Sequence, residues 1–398
     1  MTKQRRHGED LRAVAKLAVH ATKQVTEVVE EMHVTIASGP AILGRPLQRP
    51  VRAIAGLVYG HVRRVTGLVG RGVDGALSLL EPLLGESEPG PERDALEAAT
   101  NGVIGDYLHE IGSPLAIQMA FRSGGQSLPL EARALRVRLP GAGPKLLVLL
   151  HGSSMNDRQW TRCGHDHGAA LANDLGYAPV YLHYNSGLHI SENGHAFAKL
   201  LEQLVAAWPV EIDEIALLGH SMGGLVARSA CHAAEQEGLG WRKKLTKLAC
   251  LGSPHHGSPL ERSGNLLHSL LDVTSYSAPL SRLGRLRSAG VTDLRFGNVR
   301  GEHWEGVGRF EHRRDTRCAL PLPEGVAAYA IAGTTATKAL KKLPGDGLVP
   351  VDSALGRHRR PELTLAFPEQ HQWVALGTTH LDLLSSAEVY AQLRTWFS

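Results

Sequence analysis

From about residue 134 onward, short runs of consecutive apolar residues alternate with longer segments of helical period. Leu146–Leu150, Ala178–Leu182, Glu214–Leu218, Lys247–Leu251 and Ala327–Ile331 read as strands buried on both faces. Leu363–Phe367 fits one more strand, and Ala134–Leu139 alternates as a half-buried strand does before the turn PGAGPK. Gly194–Trp208, Gly223–Ala234 and Ala387–Trp396 fit helices. Strands and helices in this alternation predict an α/β fold, with a mostly parallel central sheet and helices on both faces.

Two stretches depart from that rhythm. Residues 1–100 read as a helical N-terminal extension to a domain spanning 101–398. Apolar positions 54, 57, 58, 62, 65, 68 and 69 keep a helical period, and Gly75–Leu84 reads as a second short apolar helix before the turn GESEPGP. Residues 32–73 hold six arginines and no carboxylate, whereas 74–98 hold seven carboxylates and one arginine. A helix packed on the main domain, a homodimer element and an amphipathic contact with an anionic membrane surface all fit that stretch. The second departure is 253–320, read as an inserted cap or wall over the strand ends. It carries the apolar run Leu266–Leu271, a helical run at Tyr276–Arg287 and the polar RRDTR at 313–317.

Composition narrows the picture. Apolar residues make up 43% of the 398, which suffices for a cored protein. Lys plus Arg number 43 against 39 acidic residues, and a net charge of +4 gives no argument for nucleic acid as a partner. The four cysteines have neither CxxC nor zinc-finger spacing and are expected to be reduced. The first residues lack an apolar export core, and no run is long enough to span a membrane. A cytoplasmic location, with peripheral membrane association as an option, is the expectation.

The chemistry concentrates in Gly219-His220-Ser221-Met222-Gly223, a GxSxG pentapeptide. It follows the strand EIALL and precedes a helical segment, the setting of a nucleophile elbow. Ser221 is therefore the candidate nucleophile. The Met222 N–H at the helix start is a candidate oxyanion donor. His151-Gly152-Ser153 follows the strand KLLVLL. It offers the Ser153 N–H as the second donor, with Gly152 permitting close approach. His151 is read as a hydrogen-bonded residue of that loop rather than a base.

A serine needs an imidazole to take its proton and a carboxylate to hold the imidazole tautomer. The chain order Ser, acid, His favours residues after 221. His380 in GTTHLDLL is the candidate base, with His371 as its rival. Asp346 in PGDGLVPVDSA is the candidate acid. Asp352 is the main alternative, and Asp382 and Glu324 are weaker ones. His165, Asp166 and His167 form a GHDHG cluster, but near-adjacent side chains rarely converge on one ion, so no metal and no cofactor is expected. His255 and His256 are candidates for the pocket entrance.

Together these residues resemble the alpha/beta-hydrolase superfamily, specifically bacterial lipase-like and esterase-like members. There is also a partial likeness to the glycosylphosphatidylinositol-inositol-deacylase and lecithin–cholesterol-acyltransferase-like groups. The likeness rests on GHSMGG at 219–224, LGSPHHGSPL at 251–260 and GDGLVP at 345–350, and it covers roughly 130–398. It implies that the GDGxVP aspartate is the triad acid, here Asp346. It also implies that YNSGLHISENG at 184–194, beginning at Tyr184, lies near the active site. The implied activity is hydrolysis of carboxylic esters through an acyl-enzyme, with acyl length left open by the resemblance. The 253–320 insertion and apolar stretches such as Leu266–Leu271, as walls of an acyl groove, favour a lipid or medium-chain ester. Acyl transfer, thioester or amide hydrolysis by the same serine, and a non-catalytic interaction protein on this fold, are the alternatives.

Overall fold

The computed structural model describes residues 90–110, 112–258, 288–306, 315, 317–340 and 343–398. The chain divides into two compact units, Met1–Arg93 with Gly112–Leu115, and Asp94–Ile111 with Ala116–Ser398. Of the first, only 90–93 and 112–115 are described. The helices expected over 54–69, 75–84 and 276–287, and the apolar run 266–271, lie outside the described residues.

The second unit is built on an eight-stranded sheet. Its elements in chain order begin with helix α1 (Pro91–Glu110), strands β1 (Ala120–Ser123) and β2 (Gln126–Ser127), and helix α2 (Ala132–Arg138). They continue with β3 (Lys145–Leu150), α3 (His167–Leu175), β4 (Ala178–His183), α4 (Ile190–Ala207), β5 (Glu214–His220), α5 (Met222–Glu237) and β6 (Leu245–Leu251). The chain then forms α6 (Ala289–Asp293), β7 (Ala327–Thr334), α7 (Val351–Ala354), β8 (Gln372–Leu376) and α8 (Ala387–Phe397). The strand order is β2-β1-β4-β3-β5-β6-β7-β8. β1 runs antiparallel to both its neighbours, and β4 through β8 pair in parallel.

The apolar strand runs explain the layering. Side chains alternate across a strand, so a strand buried on both faces feeds two cores. Leu146, Val148 and Leu150 of β3 join Ile215 and Leu217 of β5 in the layer packed by Phe197 and Leu201 of α4 and Leu225 of α5. Leu147 and Leu149 join Ala216 and Leu218 in the opposite layer, against Leu171 of α3 and Leu393 and Phe397 of α8. Each fully buried leucine or valine contributes about 1.5–3 kcal/mol relative to an exposed one.

Two expected strands are absent. The alternating stretch 134–139 falls within and just beyond helix α2, with Leu135 buried and Val137 exposed. Ala, Leu and Arg are strong helix formers, and in so short a segment the alternation of apolar and basic letters does not override them. Leu363, Leu365 and Phe367 are buried, but Leu363 ends a short 3-10 helix (Pro361–Leu363), and Leu365 and Phe367 pack in irregular chain with Ala328 and Ala330 of β7 rather than in the sheet. The edge strand is instead β8, five residues beyond Phe367, paired with β7 from Ala330↔Gln372 to Thr334↔Leu376. Buried apolar letters marked the core there, while backbone pairing went to the next segment.

Candidate active site

The sheet order brings the loops that carry the predicted site residues to one edge. β3 and β5 pair up to Leu150↔Gly219, so their following loops, 151–153 and the Ser221 turn, leave the sheet side by side. β6 pairs with β5 up to His220↔Leu251 and with β7 at Leu251↔Ile331. The loops after β7 and β8 therefore emerge at the same carboxyl edge, the usual place for a site in an open parallel sheet. The first carries Asp346 and the second His380.

Ser221 stands between β5 and α5 with φ 53° and ψ −122°, a conformation costly for a residue with a Cβ. Its N–H donates to the Leu251 carbonyl at 2.8 Å, which ties the turn to the end of β6. Gly223 follows because nothing larger fits. A Cβ there would lie 2.2 Å from the Leu150 carbonyl oxygen of β3. The first turn of α5 thus presses on the end of β3. A Cβ on Gly152 would lie 3.1 Å from the Ser221 Cβ, so the loop after β3 touches the nucleophile candidate directly.

Asp346 and His380 form a buried pair. His380 Nδ1 lies 2.7 Å from Asp346 Oδ2, and the His380 N–H donates to the Asp346 carbonyl at 2.9 Å. The other carboxylate oxygen, Oδ1, accepts the N–H groups of Leu348 (2.9 Å) and Val349 (2.8 Å). The carboxylate is therefore saturated on one side and aimed at the imidazole on the other. Both residues are at most 3% exposed.

Two residues that link this pair to Ser221 were not singled out from the sequence. His220 immediately precedes the serine, and its Nε2–H donates to the His380 carbonyl at 2.9 Å. The two rings are 4.7 Å apart. Burial holds His220 well below the usual histidine pKa, so it is neutral and serves as a fixed strut. Gly252 follows β6, and a Cβ there would lie 3.1 Å from Asp346 Oδ2 and 3.2 Å from His380 Nδ1. The x of GxSxG and a lone glycine after a strand carry no chemical signature, which is why neither was legible.

On the other side of Ser221, Ser153 is buried, and among the described residues no acceptor takes its N–H. The neighbouring Ser154 N–H donates to Ser186 Oγ at 2.9 Å, which ties the loop to the 184–194 segment. That segment is pinned in turn by α1, where the Gly105 carbonyl accepts the Asn185 side-chain amide at 2.8 Å. His151 lies beneath. Its Nδ1–H donates to the Gly152 carbonyl at 2.8 Å, and its ring stacks on Tyr184 at 4.2 Å. The Tyr184 hydroxyl donates to the His151 carbonyl at 2.8 Å. His255 is buried on the loop after β6, with Arg228 Nη1 donating to its Nδ1 at 3.3 Å.

The rivals stand elsewhere. His371 precedes β8 and so lies at the opposite end of the sheet, with Nδ1 against the Ala328 carbonyl at 3.1 Å. Asp352 is exposed on α7. Asp382 accepts from the Thr379 N–H and hydroxyl. Glu324 is exposed before β7. In the GHDHG segment each side chain has its own task. Asp166 caps α3 through the Ala169 N–H, His165 Nε2–H donates to His167 Nδ1, and His167 Nε2–H donates to the Leu383 carbonyl. Among the described residues no group of three His, Cys, Asp or Glu is arranged to hold a metal ion, and no helix is long and apolar enough to cross a membrane.

Burial lowers the pKa of both His151 and His167 from 6.5 to about 4. Below pH 6.5 the unfolded chain takes up protons that the folded chain refuses. Stability is therefore full above that pH and falls as the pH drops toward about 4. The loss is on the order of 3 kcal/mol for each histidine. Urea unfolding at a series of pH values is expected to show it. His151→Asn with His167→Asn should flatten the slope; an unchanged slope would assign the acid sensitivity to other groups.

The sheet order, the strained serine turn and the Asp–His pair at the carboxyl edge are those of an alpha/beta-hydrolase fold. Within it, residues 146–295 match the family model described as a PGAP1-like alpha/beta domain. Among solved structures the chain is similar to a Bacillus licheniformis lipase in mature form. The identity is 16% with a TM-score of 0.41, covering 65% of this chain and 93% of that one. It is also similar to a phospholipase from Legionella pneumophila, at 17% identity and a TM-score of 0.36, over 53% of this chain and 45% of the other. A thioesterase from the prodiginine pathway of Streptomyces coelicolor gives 18% identity and a TM-score of 0.36, over 64% and 91%. A search of curated protein sequences gives no match.

Proposed function

We propose that the chain is a serine hydrolase that cleaves carboxylic esters, with lipid or medium-chain acyl esters as its substrate class. The observation that carries this reading is the buried Asp346–His380 pair, joined through His220 to a serine on a strained elbow. In the proposed reaction the Ser221 hydroxyl oxygen bonds to the ester carbonyl carbon as His380 takes its proton. The developing oxyanion is met by the Ser153 and Met222 N–H groups. Collapse breaks the bond to the alkoxy group, which leaves with the proton from His380, and an acyl-enzyme remains. Water then adds, giving its proton to His380. Release of the acid returns that proton to Ser221. Asp346 holds Nδ1–H throughout, so Nε2 is the basic nitrogen. Gly152, His151, Tyr184 and His255 are proposed to shape the walls of the acyl pocket. No step of this scheme calls for a metal or a cofactor.

A fluorophosphonate tests the reading. It is expected to modify one residue, found by mass spectrometry on the peptide containing Ser221, and to abolish hydrolysis of p-nitrophenyl esters in proportion to labelling. Modification elsewhere, or labelling that leaves turnover intact, would overturn the nucleophile assignment. The acetate-to-palmitate series sets the acyl preference. A kcat/KM that falls beyond butyrate would remove the lipid-ester class and leave a short-chain esterase. Matched thioester and amide substrates distinguish the other acyl-transfer chemistries.

A further inference from the structure

α1 precedes every strand of the sheet, yet from Asp94 onward it belongs to the same compact unit. Ile104 leaves the helical conformation, with φ −140° and ψ 18°, so the helix is kinked there. Gly102 and Gly105 flank the kink. A Cβ on Gly102 would lie 2.8 Å from the Ser154 Cα and closer still to the Ser154 hydroxyl. The α1 backbone therefore seats directly on the loop after β3, with no space for even a methyl group between them. The helix is itself fixed at this point. The Gly102 carbonyl accepts from the Ser288 hydroxyl at 2.7 Å, the Gly105 carbonyl from the Asn185 amide at 2.8 Å, and Asp106 Oδ2 from the Ala289 N–H at 3.0 Å. A Cβ on Gly187 would lie 2.8 Å from the Gly105 Cα, so the 184–194 segment meets the helix backbone as well.

Ser154 needs such a support. Its φ is 60°, a left-handed conformation that costs a residue with a Cβ on the order of 1–3 kcal/mol and persists only where the surroundings impose it. Two contacts impose it here. Ser186 Oγ takes the Ser154 N–H at 2.9 Å, and Gly102 packs on the Ser154 Cα and Cβ. Ser153 is the residue before, joined to Ser154 by a planar peptide, so a shift of Ser154 turns Ser153 with it. The Asp346–His380 pair has supports of its own. His380 is tied to the Asp346 carbonyl through its N–H and to His220 through its own carbonyl.

We propose that Gly102 is a positioning residue for the oxyanion loop: the α1 backbone, seated on Ser154, sets the direction of the Ser153 N–H. The inference rests on the hydrolase reading and gives α1 a part in that reaction. A methyl group at 102 cannot be absorbed by retreat of the helix, which Ser288, Asn185 and Ala289 hold in place. The loop moves instead, and a displacement of about 1 Å at a reacting group can cost on the order of 10²-fold in rate. The loss falls on transition-state stabilisation, because the oxyanion exists only there.

The test is Gly102→Ala in the full chain, with kcat for a p-nitrophenyl ester expressed per site titrated to completion by a fluorophosphonate. Counting competent sites removes any loss due to unfolded protein. The expected result is a fall in kcat of about 10- to 100-fold with KM unchanged. A trifluoromethyl ketone, which takes the Ser221 oxygen at its carbonyl carbon and becomes an oxyanion, should bind more weakly by the same factor. The pH midpoint of kcat/KM should stay at its wild-type value, because the base and its carboxylate are untouched. A kcat within about threefold of wild type, a loss confined to KM, or a shifted pH midpoint would each overturn the positioning role. Should Gly102→Ala fail to fold, Ser288→Ala decides, since it removes only the hydroxyl that holds the Gly102 carbonyl. It should lower kcat about three- to tenfold with the same weakening of the ketone, and unchanged ketone binding would refute the proposal. Ester turnover that survives Ser221→Ala overturns the hydrolase reading and this inference together. Turnover that needs Ser221 but ignores position 102 overturns this inference alone.

Discussion

Replacing Ser221 by alanine is expected to lower kcat for a p-nitrophenyl ester by about 10⁴- to 10⁶-fold while leaving the fold intact. The substitution removes one oxygen and keeps the Cβ, so the strained backbone at φ 53° is unchanged. The N–H that holds the turn to Leu251 also remains. The Ser153 and Met222 N–H groups stay in place as well. A residual rate above that of water, from oxyanion stabilisation alone, is therefore part of the expectation. Circular dichroism and urea unfolding should match wild type within about 1 kcal/mol. Steady-state kinetics on the purified variant measures the rate. Activity within tenfold of wild type would show that another group performs the chemistry, and the non-catalytic reading of the fold would then apply to this elbow.

The parts of the site that could be read in the letters are those whose chemistry forces a residue type. GxSxG is legible because a helix turn pressing on β3 excludes any Cβ at Gly223. Asp346 is legible because its own loop, GDGLVP, folds back so that Leu348 and Val349 donate to the carboxylate. Strands β3 to β7 are legible because a strand buried on both faces has to be a continuous apolar run. Where several residue types serve, the sequence is silent. His220 holds the His380 carbonyl with one N–H, a task many donors perform. Arg228 looks like an ordinary polar residue of an amphipathic helix, and only the packing of the loop after β6 and of Leu320 around it shows that it is buried. The edge strand was missed for a related reason. Phe367 and Leu365 supply apolar burial, but pairing with β7 depends on where the chain turns after Pro368, which apolar periodicity does not encode.

Asp346→Asn makes a sharper demand on the geometry. Aspartate offers two acceptor oxygens here, Oδ1 to the Leu348 and Val349 N–H groups and Oδ2 to His380. Asparagine keeps one oxygen and gains an amide that only donates. If the oxygen stays with the two backbone donors, the amide N–H₂ faces His380 Nδ1. That nitrogen must then accept, and the imidazole proton moves to Nε2. The nitrogen that should take the Ser221 proton is thereby blocked. The expected result is a loss in kcat of about 10⁴-fold with the backbone hydrogen bonds retained and little change in unfolding free energy. Asp346→Ala is the contrast, because it strands the Leu348 and Val349 N–H groups. It should cost about 1–3 kcal/mol of stability for each donor left unmade, as well as activity. The ¹⁵N chemical shifts of the His380 ring report the tautomer directly and should exchange between Nδ1 and Nε2 in Asp346→Asn. A variant with the wild-type tautomer and a rate within tenfold of wild type would mean that the carboxylate does not orient the base. In that case the 2.7 Å contact between Asp346 and His380 would serve only to hold the two loops together.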